Sequence, residues 1–349
     1  MLWLKILLIA VLVVVVLCLI ASEVMYHMTF KRYNGTPYTT VKLYNDYKEN
    51  YPRELITFPS GKYNLQGYIY GAGNTRGLVV FTHGIFSFHE EYLSIMLHMV
   101  DEGFQVFAFD IKGCGRSEGK NCRSMTQSVM DLHAALTFIE SQERFRGLKV
   151  ITMGHSWGGF ASAAVLNFSH KIAATVALSG YNESYNVMKE TMLRMNKAVG
   201  ILLPVAKYEL ELRYGRKQAH LTAVNGINKA AEQGTAVLIT HGDHDEMIAY
   251  DGASIISHKN EITNPKVTYY TFTKQGLNMH NSFFNTARAQ NYYVQTFREF
   301  QEIEKKYKRK RVPEDVRKAF YESKDKNIAN ELSTELTQVI DAFLKNEGI

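Results

Sequence analysis

The hydrophobic positions along the chain fall into distinct textures. From Ile6 to Ala21 the residues read ILLIAVLVVVVLCLIA, apolar and uncharged, and Leu2, Trp3 and Leu4 extend the stretch on the far side of Lys5. At a 1.5 Å rise per residue, about 20 such residues cross a hydrocarbon core of about 30 Å, and Lys5 near one end can snorkel to the surface. The pattern predicts a transmembrane helix over residues 1–25. A cleaved signal peptide is the competing reading, since Lys5 supplies a short basic region and Ala21 and Ser22 are small, but Leu19 and Ile20 fit an A-x-A-like site poorly. Leu17 directly before Cys18 argues against a lipobox. The free amine and Lys5 lie on one flank of the helix, and Glu23, Lys31 and Arg32 on the other. We read this as a single-pass protein of the cell membrane with its body outside the cytoplasm.

Residues 26–52 are rich in Tyr, Asn and Lys without clear periodicity and read as a linker. Two β-rich runs follow, Glu54 to Pro59 and Tyr63 to Tyr70, broken at Ser60 and Gly61, as in an antiparallel hairpin. The texture then changes to short apolar runs at Leu78 to Thr82, Gln105 to Phe109, Leu148 to Met153, Ala173 to Leu178, Thr235 to Thr240 and Val267 to Phe272. Runs apolar on both faces suit strands of a parallel sheet covered by helices on each side. The segments between have helical spacing. Glu91 to Glu102 places Leu93, Met96, Leu97 and Val100 on one face and ends at Gly103, and Ser124 is a candidate cap for a helix carrying Val129, Leu132, Leu136 and Ile139. Strand and helix in alternation predict an α/β fold, a doubly wound and mostly parallel sheet over residues 53–349.

Composition narrows the function classes. The 349 residues are 46% hydrophobic and 21% charged, enough for a full globular core. The 40 basic against 34 acidic residues give a net charge of +6 without a concentrated basic face, so no nucleic-acid partner is expected. Cys18, Cys114 and Cys122 make no disulfide framework, and no C-x-x-C pair offers a zinc knuckle or redox site. One Cys114–Cys122 disulfide is left open, with nothing in the sequence calling for it.

In doubly wound sheets the chemistry sits at the carboxyl ends of the strands. The run ending at Met153 leads into Gly154-His155-Ser156-Trp157-Gly158-Gly159 and then a helical segment. Small residues around Ser156 let a strand turn sharply into a helix and push the hydroxyl outward, the arrangement of a nucleophile elbow. A serine of ordinary acidity needs a histidine to take its proton and a carboxylate to orient that histidine. The run ending at Thr240 leads into His241-Gly242-Asp243-His244-Asp245, and the run ending at Phe272 leads towards His280. Asp243 and Asp245 are both candidate acids. His280, the histidine that follows the last strand, is favoured over His258 as base. After Thr82, the chain reads His83-Gly84-Ile85-Phe86, where the N–H of Ile85, with that of Trp157, is placed to hold a developing oxyanion.

The chain resembles the α/β-hydrolase superfamily, in its serine-hydrolase branch of monoacylglycerol lipase-like and serine aminopeptidase-like members. The residues that carry the resemblance are His83-Gly84-Ile85, Asp110 to Gly119, Gly154 to Gly159, His241 to Asp245, and His280. It covers about residues 54–282 and a closing helix around Val339 to Lys345. The resemblance implies Ser156 as nucleophile, Asp245 rather than Asp243 as acid, His280 as base, and Ile85 and Trp157 as oxyanion donors, with no cofactor and no metal. Residues 182–234 occupy the place of the family's variable cap and read as helical, with Phe86, Met188 and Met192 as candidate substrate-binding residues. Residues 283–328 read as an additional helical insertion, which includes the basic run Lys305 to Arg311. That run is read as a solvated helix face or a contact with anionic lipid.

Other readings fit the same residues. A metal cluster of His241, Asp243, His244 and Asp245 would need convergent geometry, and a loop after a buried strand explains the same residues more simply. The expected activity is hydrolysis of a small-molecule or lipid carboxylic ester, as in a carboxylesterase, lysophospholipase or monoacylglycerol lipase. A serine aminopeptidase is the nearest alternative and would need a carboxylate in the cap for the substrate amine, with Glu183, Glu190, Glu209 and Glu211 as candidates. A noncatalytic binding protein on the same fold is the alternative of a different class.

Overall fold

A computed structural model of the chain describes residues 1–307 and 311–349. Eight strands form one sheet: β1 (Arg53–Ser60), β2 (Tyr63–Tyr70), β3 (Leu78–Thr82), β4 (Gln105–Phe109), β5 (Val150–His155), β6 (Ala174–Leu178), β7 (Ala236–Gly242) and β8 (Val267–Phe272), in the spatial order β1-β2-β4-β3-β5-β6-β7-β8. The β1–β2 hairpin and the β2–β4 pair are antiparallel, and every other neighbouring pair is parallel. The helices are α1 (Leu2–Thr29), α2 (Leu93–Asp101), α3 (Gln127–Ser141), α4 (Trp157–Ala164), α5 (Ser184–Met195), α6 (Leu203–Tyr214), α7 (Arg216–Ala219), α8 (Ala223–Ala230), α9 (Ala287–Lys306), α10 (Glu314–Glu322), α11 (Lys326–Ala329) and α12 (Thr334–Asn346).

Every residue of β3, β4, β6 and β7 is buried, as expected of strands with helices on both faces. Because alternate side chains point to opposite faces, each strand feeds two cores. Val80, Phe107 and Val237 pack with Leu132, Phe160 and Ile227 on the α3, α4 and α8 side. Val79, Val106 and Leu238 pack with Met96, Ile340 and Leu344 on the α2 and α12 side. The two edge strands, β1 and β8, are partly exposed.

Local details differ from the sequence reading. Ser124 does not cap α3. The helix begins later, with Thr126 at its N-cap, and Ser124 instead offers its carbonyl to the Gln127 N–H at 3.0 Å. β5 runs two residues beyond Met153 because its ladder with β6 continues to His155 opposite Leu178. Residues 182–234 and 283–328 are largely helical, in α5 to α8 and α9 to α11. Lys305 and Lys306 close α9, while Lys308, Arg309 and Lys310 of the basic run lie outside the described residues. Cys114 and Cys122 are free thiols with their sulfurs 3.4 Å apart.

Among the described residues, α1 is the helix long and apolar enough to cross a membrane. It continues past residue 25 to Thr29, and the Phe30 N–H closes its last turn on the Tyr26 carbonyl at 2.9 Å. The stretch after it does not hang free. Lys31 and Tyr33 form bridges to Asn121 and Cys114. The guanidinium of Arg32 donates to the carbonyls of Gly115, Ser117 and Gly119 at 2.7, 2.9 and 2.8 Å. The Gly-rich turn after β4 therefore fastens the end of the apolar helix to the body.

Candidate active site

Three non-glycine residues adopt positive φ at the carboxyl edge of neighbouring strands: Phe86 (54°) in the loop after β3, Ser156 (57°) directly after β5, and Ser179 (45°) directly after β6. Such backbone is costly for a residue with a Cβ and persists where the surroundings enforce it. At Ser156 the enforcement is visible. The Ser156 N–H donates to the Leu178 carbonyl at 2.8 Å, and α4 starts at once, pressed against the sheet. A Cβ on Gly158 would stand 1.9 Å from the Thr82 oxygen, and one on Gly154 would stand 2.4 Å from the Gly158 oxygen. The glycines of the motif are thus what lets the helix approach the strands while the serine is held at the turn.

Asp245 and His280 come from the loops after β7 and β8. The His280 Nδ1–H donates to Asp245 Oδ2 at 2.7 Å, and both side chains are almost fully buried. The other carboxylate oxygen accepts the N–H groups of Met247 and Ile248 at 2.9 and 2.8 Å. His241 Nε2 lies 3.0 Å from Oδ2 while donating to the Ile248 carbonyl at 2.9 Å. Burial alone would raise the Asp245 pKa, but hydrogen bonds from His241 and His280 outweigh it and hold the carboxyl well below the usual range. Asp245 is therefore a fixed anion behind the imidazole. Asp243 points elsewhere, to His244 at 2.8 Å and Asn278 at 2.5 Å, and His258 pairs with Glu261. His241, Asp243, His244 and Asp245 do not converge on one point.

No hydrogen bond joins Ser156 Oγ to His280 in this structure. The His280 ring instead packs against that of His155, the residue before the serine, with centroids 4.7 Å apart. Contacts of this kind are often loose before substrate binds.

Sequence reasoning passed over His155. Its Nε2–H donates to the His280 carbonyl at 3.0 Å, and its Nδ1 lies 2.9 Å from the Tyr92 hydroxyl. That hydroxyl in turn accepts the Gly84 N–H at 3.2 Å. Burial holds the His155 pKa well below its ordinary value, so the ring is neutral and its tautomer is dictated by these partners. The network ties the loop of the base to the loop that carries Ile85. His83 fixes the same loop from the other side. Its Nδ1 lies 2.7 Å from the Gly84 carbonyl, its Nε2 accepts the Ile111 N–H at 3.0 Å, and burial lowers its pKa to about 4.

Asp110 is buried and structural. It accepts from the His89 ring at 2.7 Å, the Tyr68 hydroxyl at 2.9 Å and the Arg116 N–H at 2.9 Å. Burial pushes its carboxyl up, and the opposing pull of His89 and its other partners brings it down to about 2.

Ser156 opens into a cavity of about 180 Å³ whose lining is mostly apolar. Ile85, Phe86, Met188 and Met192 all line it, so the candidate substrate residues meet the serine in one space. The Ile85 N–H makes no hydrogen bond among the described residues, and Trp157 is the first residue of α4, whose opening N–H groups have no partner within the helix. The Trp157 indole is turned away and donates to the Met125 carbonyl. Of the four cap glutamates, Glu209 lines the cavity. Glu183 is bound to His220 and Asn186, Glu190 to the N–H groups of Ala249 and Ala253, and Glu211 to His220.

Comparisons with known proteins bear on the family and the fold. Residues 73–225 match the profile of a hydrolase family described as serine aminopeptidase, S33. A monoacylglycerol lipase of Mycolicibacterium smegmatis is 24% identical over 212 residues, covering 52% of this chain and 74% of that protein. An uncharacterized protein of Bacillus subtilis is 23% identical over 227 residues, covering 63% of this chain and 72% of that protein. Among solved structures, an esterase of Pyrococcus furiosus superposes with a TM-score of 0.54 at 16% identity, covering 79% of this chain and 97% of that one. Together these findings support a hydrolase. The chain has the α/β-hydrolase fold, and its residues 73–225 carry the pattern of the serine aminopeptidase, S33, family.

Proposed function

We propose that the chain is a membrane-anchored serine hydrolase of carboxylic esters that works through an acyl-enzyme. In this reading residues 1–25 form the anchor, 26–52 the connection, and 53–349 one hydrolase domain with a cap at 182–234 and an insertion at 283–328. The observation that carries it is the buried His280–Asp245 pair at 2.7 Å, packed against His155 next to Ser156, while Ser156 itself lines an apolar cavity. Ser156 Oγ attacks the acyl carbonyl while His280 Nε2 takes its proton. The N–H groups of Ile85 and Trp157 hold the oxyanion, a contribution worth about 3 kcal/mol per donor in comparable sites. His280 then passes the proton to the leaving alcohol, Asp245 stabilises the imidazolium, and water activated by His280 releases the acid. The apolar lining from Phe86, Met188 and Met192 favours an acyl group over a charged one. We place the domain outside the cytoplasm.

A fluorophosphonate probe applied to the full chain in detergent tests this. Labelling that disappears in Ser156→Ala supports it, whereas a folded wild-type chain that takes no label favours a noncatalytic binding protein. The peptidase reading keeps one observation in its favour. Glu209 lines the cavity, with burial raising its pKa, and it accepts from Ser22. Hydrolysis of aminoacyl amides in preference to p-nitrophenyl esters, lost in Glu209→Gln, would select that reading.

A further inference from the structure

The last turns of α1 carry Cys18, Ser22, Met25, Tyr26 and Thr29, which recur at the helical repeat and so share one face. That face meets the cap. Cys18 and Met25 pack against the cluster of Met192, Leu202 and Ala206, as Met188 does from the cap. The Ser22 hydroxyl donates to Glu209 at 3.0 Å, and Arg213 pairs with Glu23 at 2.7 Å while its guanidinium lies 3.6 Å over the Tyr26 ring. The earlier part of the helix has no such partner, and its leucines, isoleucines and valines stand exposed on every side. One helix thus has two jobs along its length: a section bare for lipid, and a stripe that belongs to the protein.

The stripe does more than fasten the cap. Ser22, Met25, Tyr26 and Thr29 line the same cavity as Ser156. The segment from Leu2 to Ala21 is about 30 Å long at 1.5 Å per residue, the thickness of the hydrocarbon core, so Ser22 stands at about the membrane surface. The cavity begins at that depth. An acyl lipid places its ester there as well, with its chain below in the hydrocarbon. Around the same end of the helix the cap exposes Met195, Ile201, Tyr208 and Leu212, side chains suited to the interface.

We propose that Ser22, Met25, Tyr26 and Thr29 of the anchor helix are substrate-contacting residues, forming one wall of the acyl cavity, and that acyl esters dissolved in the bilayer enter along this helix. The proposal rests on the serine-hydrolase reading for its chemistry, but its geometry stands apart from it.

The test uses the full chain in phosphatidylcholine vesicles, with Met25→Trp to fill the wall, Met25→Ala to widen it, and Leu12→Trp as a lipid-facing control. Met25→Trp is expected to lower kcat/KM for a dodecanoyl ester by at least about tenfold relative to an acetyl ester. Met25→Ala should shift preference towards bulkier chains, and Leu12→Trp, outside the cavity, should change neither ester hydrolysis nor labelling by a small fluorophosphonate. Equal losses on both esters, or none on the dodecanoyl ester, would overturn the proposal. A diazirine-bearing acyl ester in the same vesicles supplies a readout independent of catalysis. Crosslinks within residues 22–29 support the wall even if Ser156 proves unreactive, in which case the hydrolase reading alone fails. Crosslinks confined to other segments refute the wall.

Discussion

His155 Nε2 donates to the backbone carbonyl of His280 at 3.0 Å, so the residue before the proposed nucleophile holds the loop of the proposed base. Through Tyr92 the same ring reaches Gly84, next to the proposed oxyanion donor Ile85. A small misplacement of reacting groups can cost about a hundredfold in rate. For His155→Phe, which keeps an aromatic ring, though a somewhat larger one, and removes both hydrogen bonds, kcat for a short ester is expected to fall by about 10- to 100-fold with KM nearly unchanged. His155→Gln should recover part of the loss. A variant whose KM rises while kcat holds would assign His155 to packing alone.

The two aspartates after β7 separate cleanly by geometry. Asp245 is buried behind His280 with both oxygens engaged, while Asp243 is part-exposed and bound to His244 and Asn278. Asp245→Asn, which removes the charge that fixes the imidazole tautomer, is expected to lower kcat by about 10⁴. Asp243→Asn should stay within about threefold. Steady-state kinetics on both variants decides between them, and the larger loss at Asp243 would reassign the acid.

Asp110 predicts an acid limit to stability. Its pKa falls from 3.8 when unfolded to about 2 when folded, so the folded state is favoured wherever the carboxyl is ionised. That contribution is fully present above about pH 4 and is lost as the pH falls towards about 2, amounting to roughly 2 kcal/mol. Asp110→Asn should therefore lower the melting temperature near neutrality, and the gap to wild type should narrow as the pH is lowered from about 5 to about 3. A gap that is constant with pH would mean that the loss comes from broken hydrogen bonds and not from the charge.

Much of the fold was legible because its signals are local. Leu78 to Thr82 and Gln105 to Phe109 are strands buried on both faces, as their apolar runs predict, and Val267 to Phe272 is the strand observed at the sheet edge, where β-branched and aromatic residues suit a half-buried surface. Boundaries slipped where long-range pairing decided them. β5 reaches His155 because β6 lies beside it, and α3 starts at Gln127, not next to Ser124. Neither effect is written in the segment itself.

The candidate site divides along the same line. Ser156 and His280 could be named from the sequence because in a doubly wound sheet chemistry gathers where strands end, and each follows a recognisable strand, whereas Asp245 was preferred to Asp243 only through the resemblance to the α/β-hydrolase superfamily. Their role in catalysis is what the kinetic and labelling tests above address. Tertiary structure alone decided how His155 is used, that Glu209 faces the cavity while Glu183, Glu190 and Glu211 are occupied elsewhere, and that the apolar helix lends a face to the pocket. The physical reason is one of range. Apolar periodicity and turn chemistry act over a few residues and persist in any context, whereas the partner of a buried polar group, or of a stripe on a helix, is set by whichever distant segment the fold brings against it.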